Sequence, residues 1–87
     1  MPRIVLFSRA GCHLCDDARD VVRTVADETG DRWAEVDVDA PAADGRDLLA
    51  AYGELVPVVE VDGVRQGYWR IEAARLRRAL AAPPRAI

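Results

Sequence analysis

Residues 4–18 read IVLFSRAGCHLCDDA and contain the most informative pattern in the chain. Its first four residues form a continuous apolar run, which is typical of a strand buried on both faces. After a loop over residues 8–11, Cys12 and Cys15 stand at the start of a helical pattern. A Cys-x-x-Cys pair in this position brings two sulfurs within disulfide reach, and the helix N–H groups favour the thiolate of the first cysteine. The pair is therefore a candidate site for thiol–disulfide exchange.

The composition limits the classes of function. The 87 residues are enough for one small domain over residues 1–87, and 51% of them are hydrophobic, which suits one compact core. The net charge of −3 offers no basic excess for phosphate backbones or anionic lipid, so we expect neither nucleic-acid nor membrane partners. The N-terminal apolar run is too short for a secretory signal or a membrane span, so we expect a cytoplasmic protein. We also expect a monomer.

The cysteine and histidine counts bear on metal binding. In a reducing cytoplasm, a lone cysteine pair is more often catalytic, redox-sensing or metal-binding than a permanent cross-link. The chain has two cysteines and one histidine, which leaves a closed four-ligand zinc site short of thiolate and imidazole ligands. We therefore expect no metal and no bound cofactor.

Hydrophobic periodicity predicts the remaining elements. Asp44 is the expected N-cap of the second helix, Asp62-Gly63 predicts a tight hairpin turn, and Pro83-Pro84 ends the last helix before a frayed tail. The predicted order is a strand over 4–7, a helix over about 13–28, a strand over 33–39, a helix over 42–52, strands over 56–61 and 64–67, and a helix over 72–82. This order predicts one α/β domain with a four-stranded mixed sheet. Its first βαβ unit is parallel, its hairpin is antiparallel, and helices cover both faces.

The element order, the Cys12-His13-Leu14-Cys15 motif and the downstream Val56-Pro57 together resemble the thioredoxin fold, and more narrowly the glutaredoxins. Residues 8–15, 52–58 and 61–63 resemble the small bacterial glutaredoxin-like proteins, so the match spans nearly the whole chain. The resemblance implies a β-α-β-α-β-β-α fold. It also implies roles for individual residues: Cys12 as nucleophile, Cys15 as resolving cysteine, Pro57 as a cis-proline facing the pair, and Val56 as a backbone partner for an extended substrate.

The chain departs from the pattern of glutathione-using glutaredoxins. It contains no lysine, so Arg9 is the candidate to replace the lysine that precedes the cysteines in those proteins. After the hairpin, Gly67-Tyr68-Trp69 stands where the family has Gly-Gly. These departures argue against glutathione as the reductant, although it remains open as a co-substrate.

Several side chains near the motif allow two interpretations. His13 either stabilises the neighbouring thiolate as an imidazolium or is an exposed bystander. Tyr68 and Trp69 either line a substrate groove or cover the core and the sheet edge. Asp16 and Asp17 are expected to cap the helix that begins at the motif, where carboxylates meet the helix dipole favourably.

These observations predict a thiol–disulfide oxidoreductase. Its substrate is expected to be a disulfide of a protein or a small thiol, attacked by Cys12 and released by Cys15, and its reductant an external thiol or a dedicated reductase. Arg9, His13, Val56 and Pro57 are the candidate substrate-binding residues. Two alternatives stay open: a module in which Cys12 of two chains and external thiols hold an iron–sulfur cluster, and a non-enzymatic binding domain whose cysteine pair is a redox switch.

Overall fold

The computed structural model describes residues 2–41 and 45–82, and within them a mixed four-stranded sheet is packed against three helices. The sheet order is β2-β1-β3-β4, in which β1 and β2 are parallel and the other neighbours are antiparallel. The predicted thioredoxin-like fold and element order are therefore confirmed. In chain order the elements are β1 (Ile4–Ser8), α1 (His13–Thr29), β2 (Trp33–Asp37), α2 (Leu48–Tyr52), β3 (Val58–Val61), β4 (Val64–Tyr68) and α3 (Ala73–Ala81).

Strand β1 is buried on both faces, because its alternating side chains enter two hydrophobic clusters. Ile4 and Leu6 pack with residues of α1 and α3, whereas Phe7 packs with Val58 and Leu48 of α2. The helices thus cover both faces of the sheet, as predicted. No helix in the described part of the chain is long and apolar enough to cross a membrane.

Helix α1 begins at the cysteine motif. Its N-cap is Cys12, whose Sγ accepts a hydrogen bond of 3.2 Å from the N–H of Cys15. Neither Asp16 nor Asp17 is therefore the N-cap, because the cysteine sulfur takes that position; Asp16 lies in the first turn, as predicted, and pairs with Arg19 at 2.9 Å. The helix ends at Gly30, whose φ of 74° is the left-handed conformation that glycine adopts readily.

Helix α2 is shorter than predicted. It begins at Leu48 and is capped by Asp47, whose carboxylate accepts from the N–H of Ala50 at 3.0 Å. Residues 42–44, including the expected N-cap Asp44, lie outside the described residues. A helix cannot run on from there through Gly45, because this glycine has a left-handed φ of 79°.

The hairpin turn between β3 and β4 has the predicted form. Asp62 and Gly63 both have positive φ, 52° and 80°, which is the requirement of a type I′ turn. The guanidinium of Arg3 donates to both carboxylate oxygens of Asp62, at 3.0 and 2.9 Å, and ties the turn to the start of the chain. The predicted stop at Pro83-Pro84 and the tail after it lie outside the described residues.

Candidate functional site

The sheet register places the cysteine loop and the Val56-Pro57 loop at the same end of the sheet. Strand β1 ends at Ser8 and leads into the loop before Cys12. Phe7 is opposite Val58 in the antiparallel β1–β3 pair, so Pro57 comes next to the end of β1. The cysteine loop and the Val56-Pro57 loop, far apart in sequence, therefore lie at the same end of the sheet, where α1 also begins.

The two cysteines form a disulfide, with their Cα atoms 5.2 Å apart. Their environments differ. Cys12 is partly exposed at the first turn of α1, whereas Cys15 is only 1% exposed and belongs to the buried face of the helix. The helix periodicity explains the difference, because Cys15 shares a face with Ala18 and Val22, which pack against the sheet. Cys12 is therefore accessible to solvent in part, whereas Cys15 is not.

The Val56–Pro57 peptide bond is cis, as the resemblance implied. Pro57 is fully buried, and Val56 is partly exposed at the surface beside the cysteine motif. A role for these two residues in holding substrate stays a prediction.

An open groove of about 440 Å³ lies beside the motif. Leu14 of the Cys-x-x-Cys motif forms one side of it, and Val56, Tyr68, Trp69 and Arg70 form the rest. Tyr68 and Trp69 are 44% and 52% exposed, and their rings meet edge to face at 5.2 Å. Of the two interpretations of this aromatic pair, the structure favours the groove.

Arg9 and His13 take different positions around the cysteines. The guanidinium of Arg9 pairs with both carboxylate oxygens of Asp39 at 3.1 Å and also donates to the carbonyl of Gly53 at 3.4 Å. These contacts brace the loop after β1 against neighbouring segments. His13 is exposed at the first position of α1. The proposed substrate contacts of both residues stay predictions.

A charged network that the sequence analysis missed lies behind the cysteine loop. Ser8, the last residue of β1, donates to Glu35 at 2.7 Å, and Arg19 of α1 donates to both oxygens of the same carboxylate at 2.8 and 2.7 Å. The hydrogen bonds from Arg19, opposed by partial burial and assisted by Ser8, lower the pKa of Glu35. The same contacts raise the pKa of the Arg19 guanidinium.

A second missed cluster lies under α2, on the opposite face of the sheet. Glu60 of β3 is 5% exposed, accepts from the hydroxyl of Tyr52 at 2.6 Å, and pairs with Arg46 at 3.1 Å. The guanidinium of Arg46 also lies 5.6 Å from the ring centroids of Phe7 and Tyr52. The one signal in the sequence was a lone acidic residue inside the apolar strand VVEV.

The fold and the disulfide-bonded pair at a helix N-terminus define a thioredoxin-fold protein with a redox-type site. The model of the family described as Glutaredoxin-like domain (DUF836) matches residues 3–81, and the chain belongs to this family.

Similar proteins support the same assignment. An uncharacterized protein of Mycobacterium tuberculosis is 35% identical over 81 residues, which cover 92% of this chain and 84% of that protein. The X-ray structure of protein XcR50 from X. campestris is 36% identical, with a TM-score of 0.67, and the match covers 92% of this chain and 99% of that one. Reduced Escherichia coli glutaredoxin is 30% identical, with a TM-score of 0.64, over 91% and 98% of the two chains.

Proposed function

We propose that this protein is a thiol–disulfide oxidoreductase that works through Cys12 and Cys15. The observation that carries the proposal is the asymmetry of the pair, since Cys12 is partly exposed and Cys15 is buried. The partly exposed Cys12 can contact a substrate disulfide, whereas the buried Cys15 can reach only Cys12. The N–H of Cys15 lies 3.2 Å from the Cys12 sulfur in the disulfide, and in the reduced protein this donor would stabilise the thiolate, which is the nucleophile that exchange requires.

In the proposed reaction, the Cys12 thiolate attacks one sulfur of the substrate disulfide. The substrate S–S bond breaks, a Cys12–substrate disulfide forms, and the leaving thiolate takes a proton from solvent. The Cys15 thiolate then attacks the Cys12 sulfur, which forms the Cys12–Cys15 disulfide and releases the second substrate thiol. Two electrons pass from the dithiol to the substrate, and an external thiol reductant restores the dithiol.

The remaining parts of the proposal concern partners and location. The substrate is a disulfide of a protein or a small thiol, held by Val56 and Pro57, with Arg9 and His13 at its margins. The reductant is a small thiol or a dedicated reductase, and the lack of lysine in the chain argues against glutathione in that role. The protein acts as a cytoplasmic monomer without a resident cofactor, because exchange needs only the two sulfurs and a reducing compartment.

A pair of single-cysteine variants tests the reaction order. The Cys15→Ser variant lacks the resolving thiol, so it should accumulate a mixed disulfide with a cystine-containing peptide, visible by mass spectrometry. The matched Cys12→Ser variant should trap far less of the same peptide, because its remaining thiol is buried. Equal trapping by both variants would contradict the proposed roles.

The wild-type chain provides a second readout. Mild oxidation of the reduced protein should remove two thiols and two hydrogens per chain, and a dithiol reductant should restore both. Iron and visible absorbance in anaerobically purified protein, combined with an absence of exchange, would instead support the cluster-binding alternative.

A further inference from the structure

Trp69, in the groove beside the cysteines, has an unusual backbone conformation. It directly follows β4, and its φ of 60° lies in the left-handed region, which bulky residues rarely adopt. Such a conformation costs free energy and persists only where surrounding contacts fix it. The side chain is 52% exposed, so burial of the ring does not account for its position.

The hydrogen bonds that Trp69 donates all go to the loop that carries the cis peptide. Its backbone N–H donates to the carbonyl of Pro57 at 2.9 Å and to that of Leu55 at 3.2 Å. Its indole Nε1 donates to the carbonyl of Glu54 at 3.1 Å. Trp69 therefore engages three carbonyls of the four-residue segment 54–57.

Within segment 54–57, Val56 is the one residue whose carbonyl Trp69 does not hydrogen-bond. Among residues 2–41 and 45–82, no hydrogen bond engages its N–H or its carbonyl. One donor and one acceptor on the same residue match the backbone of an extended peptide, which can pair with both as an added strand does. Val56 and Trp69 both line the groove, so such a peptide would pass along the aromatic ring.

The Trp69 ring also contacts a neighbouring aromatic side chain. Tyr68 meets Trp69 edge to face, and the guanidinium of Arg65 lies 5.6 Å from the Tyr68 ring centroid. Leu14, between the cysteines, faces the same groove. The groove thus offers an aromatic wall beside Leu14 of the Cys-x-x-Cys motif.

We propose that Trp69 determines the substrate specificity of this site. Its ring binds an apolar side chain beside the substrate cysteine, and its backbone and indole contacts position the segment that contains Val56, which the proposed function already places against the substrate. The preferred substrates are extended polypeptide disulfides with an apolar neighbour, rather than compact disulfides of small thiols. This inference rests on the proposed exchange reaction.

Two peptides test the specificity. Both carry one cysteine in a mixed disulfide with a chromogenic thiol, and they differ only in Phe or Ser beside that cysteine. Wild-type protein should release the thiol from the Phe peptide with the higher kcat/KM, mainly through a lower KM. Trp69→Ala should reduce this Phe-over-Ser preference by about tenfold, the size of one aromatic contact, and Trp69→Phe should restore most of it.

Leu49→Ala is the matched control, since it removes a 47% exposed apolar side chain from α2, outside the groove. It should leave the preference unchanged. An equal preference in wild type and Trp69→Ala, or none in wild type, would overturn the inference. Failure of the wild-type protein to open either disulfide would instead refute the exchange reaction itself.

Hydrogen exchange tests the backbone part without a rate of turnover. In Cys15→Ser carrying the Phe peptide as a mixed disulfide, the Val56 amide should exchange about tenfold more slowly than in the peptide-free variant. Unchanged exchange at Val56 in the trapped complex would show that this residue does not pair with the substrate backbone, and the proposed positioning would be wrong.

Discussion

The buried carboxylate of Glu60 provides a quantitative test of the structure. Tyr52→Phe removes one hydroxyl, which donates to this carboxylate at 2.6 Å. The ring itself stays, so its contact with Phe7, at 5.1 Å between centroids, is kept. Glu60 also retains Arg46 at 3.1 Å, so the substitution leaves a partly satisfied charge rather than an isolated one.

A hydrogen bond to a charged group contributes roughly 1.5–3 kcal/mol to stability. The loss in Tyr52→Phe should lie in the lower half of this range, about 2 kcal/mol, because Arg46 still neutralises the carboxylate. For a chain of 87 residues, this free energy corresponds to a decrease in Tm of roughly 10 °C.

Urea denaturation at neutral pH, with the disulfide intact in both proteins, measures the difference in free energy of unfolding. Tyr68→Phe is the control, because its side chain is 44% exposed at the groove, and this variant should change stability by less than about 0.5 kcal/mol. If Tyr52→Phe costs no more than Tyr68→Phe, the hydroxyl does not stabilise Glu60 and the reasoning fails.

The effect of Tyr52→Phe on the free energy of unfolding should also depend on pH. Burial, followed by the hydrogen bond to Glu60, raises the pKa of Tyr52 in the folded state. A raised pKa means that the contribution of the neutral phenol is complete below about pH 10 and is lost as the pH rises through the folded-state value. Wild-type stability should therefore fall more steeply above pH 10 than that of Tyr52→Phe.

Three further predictions concern other parts of the fold. Glu35→Gln should lower the free energy of unfolding by about 1 kcal/mol at pH 7, because it weakens the ion pair with Arg19. This difference from wild type should shrink below about pH 4.5, because the lowered pKa of Glu35 stabilises the fold only while the carboxylate is ionised. Val22→Ala should cost roughly 2–3 kcal/mol in urea unfolding, since Val22 is 0% exposed, whereas Val64→Ala, 37% exposed, should cost far less. Gly63→Ala should lower the free energy of unfolding by about 1 kcal/mol through its φ of 80° alone, because apart from its chain neighbours no atom of residues 2–41 and 45–82 lies within 4 Å of the added methyl. An unchanged unfolding midpoint would contradict the left-handed turn.

The elements that the sequence predicted best are those whose signals are local. The apolar run at Ile4, the periodicity of α1 and the Asp62-Gly63 turn each depend on neighbouring residues, and the structure confirms all three. The start of α2 was predicted wrongly, because the left-handed conformation of Gly45 interrupts a pattern that otherwise continues. The cis state of Pro57 was implied only by the resemblance, since no local pattern distinguishes cis from trans.

Around the cysteines, local patterns were enough to predict the Cys-x-x-Cys pair, its place at the start of α1 and the α/β fold that carries it. These follow from spacing and periodicity, which act over a few residues. The hydrogen bonds from Arg9 to Asp39, from Tyr52 to Glu60 and from Trp69 to the carbonyl of Glu54 could be seen only in the folded chain. Each of these pairs joins different segments of the chain, and their distances depend on strand register and on the face that each side chain occupies. Buried polar groups need hydrogen-bond partners that are close in space, and the sheet register sets which of them become neighbours.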